Sequence, residues 1–228
     1  RAQELGCTNT VFTNPTGLPD DNQHTTAHDL ALIMKAAINT DGFRTIAGAT
    51  SYTIPATNVS GGARNLTSSF PMTNTTSASY YSGCIGGRES TTTASGSVLV
   101  TAAERNNTTL ICVVMNGATG QTATEAVSLL DYGFNNFQLL DLNQEDFHIL
   151  SGGQVMVPSG ATAADLATED SVSDGQINRT YTFGGTQVGT AVIEDTSDTS
   201  ASDAQENDEN MEEAKAFSQS ASSVPYFL

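Results

Sequence analysis

Two apolar runs and the polar tetrad between them dominate the middle of the chain. Ser97-Val98-Leu99-Val100-Thr101-Ala102-Ala103 and Thr108-Thr109-Leu110-Ile111-Cys112-Val113-Val114-Met115 flank Glu104-Arg105-Asn106-Asn107. Runs of this length, rich in β-branched residues and separated by turn formers, predict a β-hairpin. With Cys84-Ile85-Gly86 upstream, they predict three neighbouring antiparallel strands with a buried centre. Elsewhere the period lengthens. Leu30, Ile33, Met34, Ala37 and Ile38 recur at helical spacing after Thr25 or Thr26, either of which can serve as an N-cap. Ala126, Val127, Leu129 and Leu130 place a second amphipathic helix over residues 124–132, with a stop near Gly133.

Turn formers mark the remaining segments. Gly6 reads as a helix cap closing Arg1-Ala2-Gln3-Glu4-Leu5, and residues 9–21, dense in Asn, Thr, Pro and Gly, read as loop. Ser51-Tyr52-Thr53-Ile54 is a short strand candidate ending at Pro55, and the stretch from there to about residue 82 is too rich in Thr and Ser to assign. From about residue 139 the texture becomes that of a small β module. Val155-Met156-Val157-Pro158 is one strand, and residues 181–189 form a hairpin turning at Gly184-Gly185. Between Glu194 and Glu213 lie nine acids and no Lys or Arg. On an Ala, Ser and Asn background, that run reads as a solvated, disordered tail. The last residues, Ser223-Val224-Pro225-Tyr226-Phe227-Leu228, read as the start of something apolar, and both ends of the chain read as cut.

The net charge of −17 leaves no basic surface to displace counterions from phosphate, which excludes nucleic acid as a partner. It also disfavours docking on an anionic membrane face, and no apolar stretch approaches the length of a membrane span. Cys7, Cys84 and Cys112 form no C-x-x-C pair. Cys112 reads as a small buried hydrophobe, and a Cys7–Cys84 disulfide stays open. His24 and His28 are four apart, but the residues between them lack the acid of H-E-x-x-H, so hydrogen bonding at a helix start is the expected role; His148 stands alone. The Asn-x-Ser/Thr sites follow from composition, and neither Gly86-Gly87 nor Gly184-Gly185 has phosphate-loop spacing.

Several stretches occur together in one order: Leu5-Gly6-Cys7-Thr8-Asn9-Thr10, Asn14-Pro15-Thr16-Gly17-Leu18-Pro19-Asp20-Asp21, Thr25-Thr26-Ala27-His28-Asp29-Leu30, Ser51-Tyr52-Thr53-Ile54-Pro55, Leu99-Val100-Thr101-Ala102-Ala103-Glu104-Arg105-Asn106 and Leu130-Asp131-Tyr132-Gly133-Phe134. In this order the chain resembles the serine D-alanyl-D-alanine carboxypeptidases, the low-molecular-mass penicillin-binding proteins. The resemblance implies an α+β fold, part of a penicillin-binding-protein/β-lactamase-like transpeptidase domain in which an antiparallel sheet is covered by helices. It assigns residues 1–137 to the C-terminal portion of that catalytic domain, 138–193 to a small β domain and 194–228 to an acidic linker.

The implied function is trimming of D-Ala-D-Ala stem peptides of peptidoglycan in the bacterial cell envelope, outside the cytoplasmic membrane. β-Lactams are implied as ligands, a membrane anchor is implied beyond the C-terminus, and no cofactor is required. Such enzymes use three motifs, S-x-x-K, S-x-N and K-T-G, in which the first Ser attacks and its Lys takes the proton. Neither S-x-x-K nor S-x-N occurs here, so these residues alone are expected to be inactive. A non-catalytic peptidoglycan-binding or structural homologue, or a gene remnant, is the alternative.

The third motif falls at residues 86–96. Gly86, Thr92 and Gly96 match the family frame G-x-K-T-G-x-T-x-x-A-G, but K-T-G has become Arg88-Glu89-Ser90. By the resemblance these three are the degenerate substrate-binding positions, and Thr91 offers the backbone N–H of an oxyanion hole. Arg88 keeps the positive charge, as a fork rather than a point. Glu89 puts a carboxylate where the family has a hydroxyl. Beside a substrate carboxylate about 4 Å away it would repel by roughly 4 kcal/mol at an effective dielectric of 20.

Overall fold

Backbone donors that find no partner at a helix start must be met by side chains, and here that need orders the first thirty residues. Thr26 is the N-cap of α1 (Ala27–Ile38), its hydroxyl accepting the Asp29 amide at 3.1 Å. The Asp29 carboxylate, 1% exposed, turns back to accept the Asn9 amide at 2.9 Å and the Thr10 hydroxyl at 2.6 Å. Val11 and His24 then exchange backbone hydrogen bonds, closing the loop between them. Inside it, Asn14 caps its own turn by accepting the Gly17 amide at 2.9 Å. The loop expected from composition is therefore an ordered one.

This computed structural model describes residues 1–144, 148–173 and 176–194. After α1 come α2 (Phe43–Ala47), β1 (Ser51–Ile54), β2 (Arg64–Thr67), β3 (Cys84–Thr92), β4 (Gly96–Arg105), β5 (Thr108–Gly117) and α3 (Thr122–Asn136). The chain continues with β6 (Phe137–Asp141), β7 (Ile149–Gly152), β8 (Gln154–Pro158), β9 (Ala167–Ser173), β10 (Gln176–Phe183) and β11 (Thr186–Glu194). The chain divides into two compact units after Phe134. The acidic run expected to be a disordered linker lies, beyond Glu194, outside the described residues.

In the first unit the expected three-stranded antiparallel sheet is present, in the order β3-β4-β5. Its β4–β5 turn is tighter than the tetrad suggested: Asn106 and Asn107 alone bridge the strands, both at positive φ (48° and 62°). Asn tolerates the left-handed region that two-residue hairpins require. One sheet face carries Leu99, Thr101 and Leu110 towards α3, and all three are buried. On the other face Ala102 and Ile111 are buried, where α1 packs against β4 and β5. Strand β1 pairs with β2, which lies within the stretch that sequence left unassigned.

Two expectations are corrected, and the open question of a Cys7–Cys84 disulfide is answered. Helix α3 does not stop at Gly133 but runs to Asn136. Gly133 is an interior packing residue, since a Cβ there would come within 2.6 Å of Leu110 Cδ1. Cys7 and Cys84 are not bridged and all three cysteines are free. Cys7 donates to the Asp29 carbonyl and Cys84 lies 3.5 Å from the Thr101 hydroxyl. Cys112 is buried as expected, and burial pushes its thiol up to about 12. On α1 the buried stripe is Asp29, Ala31, Met34 and Ile38, so Leu30, Ile33 and Ala37 are only half-buried.

The second unit, described over 135–194, holds a β6–β8 pair and a four-stranded sheet in the order β7-β11-β10-β9. Val155, Val157, Tyr181 and Ile193 centre its core. Its β10–β11 hairpin turns at Gly184-Gly185, at φ 56° and 82°, as the sequence predicts. Arg179 forks onto Asp170 of neighbouring β9 at 2.7 and 2.8 Å.

The buried Asp29 makes stability depend on pH. Hydrogen bonds from Thr10 and Asn9 outweigh its burial and hold its carboxyl below the usual carboxylate range. A lowered folded-state pKa contributes stability above the unfolded value, about 3.9, and that stability is lost as pH falls through the folded pKa. Asp29→Asn should therefore lower the melting temperature at pH 7 and flatten its decline below pH ~4. Parallel melting curves for the two proteins across pH 3–7 would contradict this.

Candidate active site

Strand β3 pairs with β4 in antiparallel register, Arg88 opposite Val100 and Glu89 opposite Leu99. Successive side chains of a strand leave on opposite faces, so the three altered motif residues do not act together. Glu89 turns to the α3 face, where the wholly buried Thr122, first residue of α3, donates its hydroxyl to the Glu89 carboxylate. On the same face Phe70 stands over Gly87: a Cβ there would lie 2.7 Å from the Phe70 ring and 2.4 Å from the Val100 carbonyl. Thr91, expected to supply a backbone N–H, shares a hydrogen bond with Ser97 at 2.6 Å through its hydroxyl.

Arg88 and Ser90 leave on the opposite face, and both are exposed. Arg1, Arg44, Arg105 and Arg179 each meet a carboxylate. Among the described residues no acid lies within ion-pair distance of Arg88, although acids outnumber Lys and Arg by 25 to 8 in the sequence. The strand neighbour that could have neutralised it, Glu89, is on the wrong side of the sheet. The Glu89 carboxylate, expected to face a substrate carboxylate, here accepts the Thr122 hydroxyl on the face opposite Arg88.

Two glycines of the motif frame have backbone reasons. Gly86 sits at φ 143°, and a Cβ there would meet Ala47 of α2 at 2.7 Å. Gly96 opens β4 at φ 64° against Asn116. Beyond Ser90 on the Arg88 face, Thr92, Val98 and Met115 floor a cavity of about 400 Å³, roofed by the ordered loop with Phe12, Asp20 and His24. The His24 ring nitrogen lies 3.0 Å from the Asn22 carbonyl, and His28 lies 3.5 Å from Asp29, so each histidine has a local hydrogen-bonding role. Sequence reasoning missed this cavity and Thr122. The second could have been suspected from a hydroxyl residue opening a helix; the first needs the Val11–His24 closure, which no local pattern announces.

A family model described as D-alanyl-D-alanine carboxypeptidase (Peptidase_S11) matches residues 1–119. No curated protein matches the chain. Among solved structures it is similar to the D-alanyl-D-alanine carboxypeptidase of Mycobacterium tuberculosis, with 30% identity and a TM-score of 0.51 over 59% of this chain and 50% of that one. A mutant DD-transpeptidase of Streptomyces aligns at 27% identity and a TM-score of 0.53, over 59% of this chain and 51% of the other. Penicillin-binding protein 5 of Haemophilus influenzae shares the fold at 21% identity, with a TM-score of 0.59 over 85% of this chain and 63% of that one. The chain thus spans about half the length of the first two relatives.

The clasp between Glu89 and Thr122 is open to a double-mutant cycle. Thr122→Val should cost about 2 kcal/mol, because it leaves a half-buried carboxylate without its donor. Glu89→Ala should cost a similar amount, and the double variant clearly less than the sum. Additive losses in urea denaturation would show that the two side chains do not interact.

Proposed function

This chain belongs to the D-alanyl-D-alanine carboxypeptidase family, and on that premise we propose that it carries the substrate-holding strand of a serine enzyme that trims the terminal D-Ala from peptidoglycan stem peptides. The observation that carries this reading is Arg88: an exposed guanidinium on the motif strand, unpaired among the described residues, on the strand whose far end, at Thr92, lines a cavity. A guanidinium fork matches a carboxylate in two parallel hydrogen bonds, the group in which a D-Ala-D-Ala substrate ends. Ser90, two residues on and on the same face, adds a hydroxyl. The Thr91 N–H is proposed as an oxyanion donor, a role that needs only backbone. Glu89 positions the strand through Thr122 rather than meeting the substrate.

From Arg88 to Thr92 is four residues, about 13 Å of strand. A peptide bound at Arg88 and reaching the 400 Å³ cavity would therefore lie extended along β3. The residues of the S-x-x-K and S-x-N motifs are not among these 228, and attack and proton transfer are assigned to them. The division 1–137, 138–193 and 194–228 is proposed as catalytic portion, small β domain and linker. The site of action is proposed to be extracytoplasmic, with an anchor beyond residue 228. No helix among the described residues is long and apolar enough to cross a membrane.

A second reading, a homologue that binds stem peptides without cleaving them, is favoured by Glu89 itself, which puts a carboxylate engaged with Thr122 where the family has a Thr hydroxyl. Incubation with penicillin followed by intact-mass measurement tests the assignment. The 228-residue chain should show no adduct, because it has no serine–lysine pair to acylate. A stoichiometric gain of one drug mass would overturn the placement of the nucleophile outside these residues. The same measurement on the full gene product separates the two readings, since only the enzyme acylates.

A further inference from the structure

Among the described residues three besides glycine sit at positive φ, and all three are asparagines: Asn106 at 48°, Asn107 at 62° and Asn116 at 54°. Asparagine is a side chain that tolerates the left-handed region. Asn116 lies in a bulge of β5. Ser97 pairs with Gly117 and Leu99 with Val114, so Met115 and Asn116 together stand opposite Val98, and a bulge leaves its extra residue out of the ladder. What sets Asn116 apart from the other two is its successor. Asn106 is followed by Asn107 and Asn107 by the β-branched Thr108, but Asn116 is followed by Gly117.

Packing fixes Gly117. A Cβ there would come within 2.5 Å of Thr122 Cγ2, and Thr122 is itself held by Glu89. The bulge thus favours asparagine at 116 and the start of α3 requires glycine at 117, which together place an Asn-Gly dipeptide here. No Cβ shields the nitrogen of a glycine, and its backbone turns more freely than any other. The Asn116 side-chain amide has no hydrogen-bond partner among the described residues. By contrast, the side chains of Asn14, Asn39, Asn74 and Asn143 are each fastened to a backbone group nearby.

We propose that Asn116 is a site of spontaneous deamidation, a modification for which the Asn116-Gly117 dipeptide supplies both reacting groups. The Gly117 backbone nitrogen gives up its proton to solvent and attacks the Asn116 side-chain carbonyl carbon. The Cγ–Nδ2 bond breaks, the nitrogen takes a proton from solvent and leaves as ammonia, and a five-membered succinimide ring is closed. Water then opens the ring at either carbonyl, giving aspartate or isoaspartate. Water is the only co-reactant, so the step depends on no residue outside this stretch of the chain. Either product adds a carboxylate to the wall of the cavity that holds Asp20 and Asp21. Isoaspartate also inserts a carbon into the backbone of the bulge, where Asn116 packs against Gly96 at the start of β4.

The test is ageing of the full gene product at neutral pH while its circular dichroism spectrum is followed, with peptide mapping by mass spectrometry and isoaspartate detected by enzymatic methylation. Asn116 should convert to a mixture of aspartate and isoaspartate at least about tenfold faster than Asn106 or Asn107, a barrier lower by ~1.4 kcal/mol, with the spectrum unchanged. Asn116→Gly, which suits the positive φ, should abolish the isoaspartate signal at this position. An Asn116 that stays intact while the same dipeptide converts in a short peptide of residues 112–121 would show that the fold protects it, and overturns the proposal. Conversion no faster than at Asn107 overturns it too, as does conversion that begins only after the spectrum is lost. Aspartate formed without isoaspartate would mean direct hydrolysis rather than ring closure, and contradicts it equally.

Discussion

The pleat of β3, held in register by β4, is the constraint on which the candidate site rests. Because Arg88 pairs with Val100 and Glu89 with Leu99, the two charges leave the strand in opposite directions. One is fastened to the first residue of α3 and the other is presented to solvent. Had the register slipped by one residue, every side chain would have changed face, and Glu89 would stand where a substrate carboxylate is expected. Gly87 enforces the register sterically. Only a residue without a Cβ fits between the Phe70 ring and the Val100 carbonyl, so β3 lies close upon β4 at the position just before the motif.

This arrangement changes the meaning of the altered motif. Read as letters, Arg88-Glu89-Ser90 is a damaged K-T-G. Read as geometry, its middle residue serves packing and its outer two share a face with Thr92. A cation survives there unpaired among the described residues, in a sequence whose acids outnumber Lys and Arg 25 to 8. Surface ion pairs are worth little individually, so an Arg left without one costs the fold little and remains available to a ligand. The ordered loop between Val11 and His24 completes the surroundings, and it is ordered because the buried Asp29 carboxylate ties Asn9 and Thr10 to the start of α1.

Much of the first unit was legible in the chain. The hairpin of β4 and β5 is written as two apolar runs around Glu104-Arg105-Asn106-Asn107, and the N-cap of α1 as Thr25 or Thr26, between which the Thr26 hydroxyl on the Asp29 amide decides. Strand β2 was not legible, because Arg64-Asn65-Leu66-Thr67 is exposed throughout and carries no alternation. Gly133 misled because a helix-interior glycine and a helix-ending one look alike until Leu110, twenty-three residues earlier in the chain, is seen to fill the space. At the site, sequence located β3 and its three altered residues through family resemblance. It could not assign them to faces, since β3 contains a bulge at Cys84–Gly86 that resets the alternation.

The assignment of Arg88 and Glu89 to opposite faces, one for substrate and one for structure, is tested most directly by amide chemical shifts during titration with N-acetyl-D-Ala-D-Ala. The account predicts perturbations confined to Arg88, Ser90, Thr92 and the cavity loop, abolished in Arg88→Ala and retained in Glu89→Gln. Perturbations centred on Thr122 and α3, or binding lost in Glu89→Gln and kept in Arg88→Ala, would contradict it.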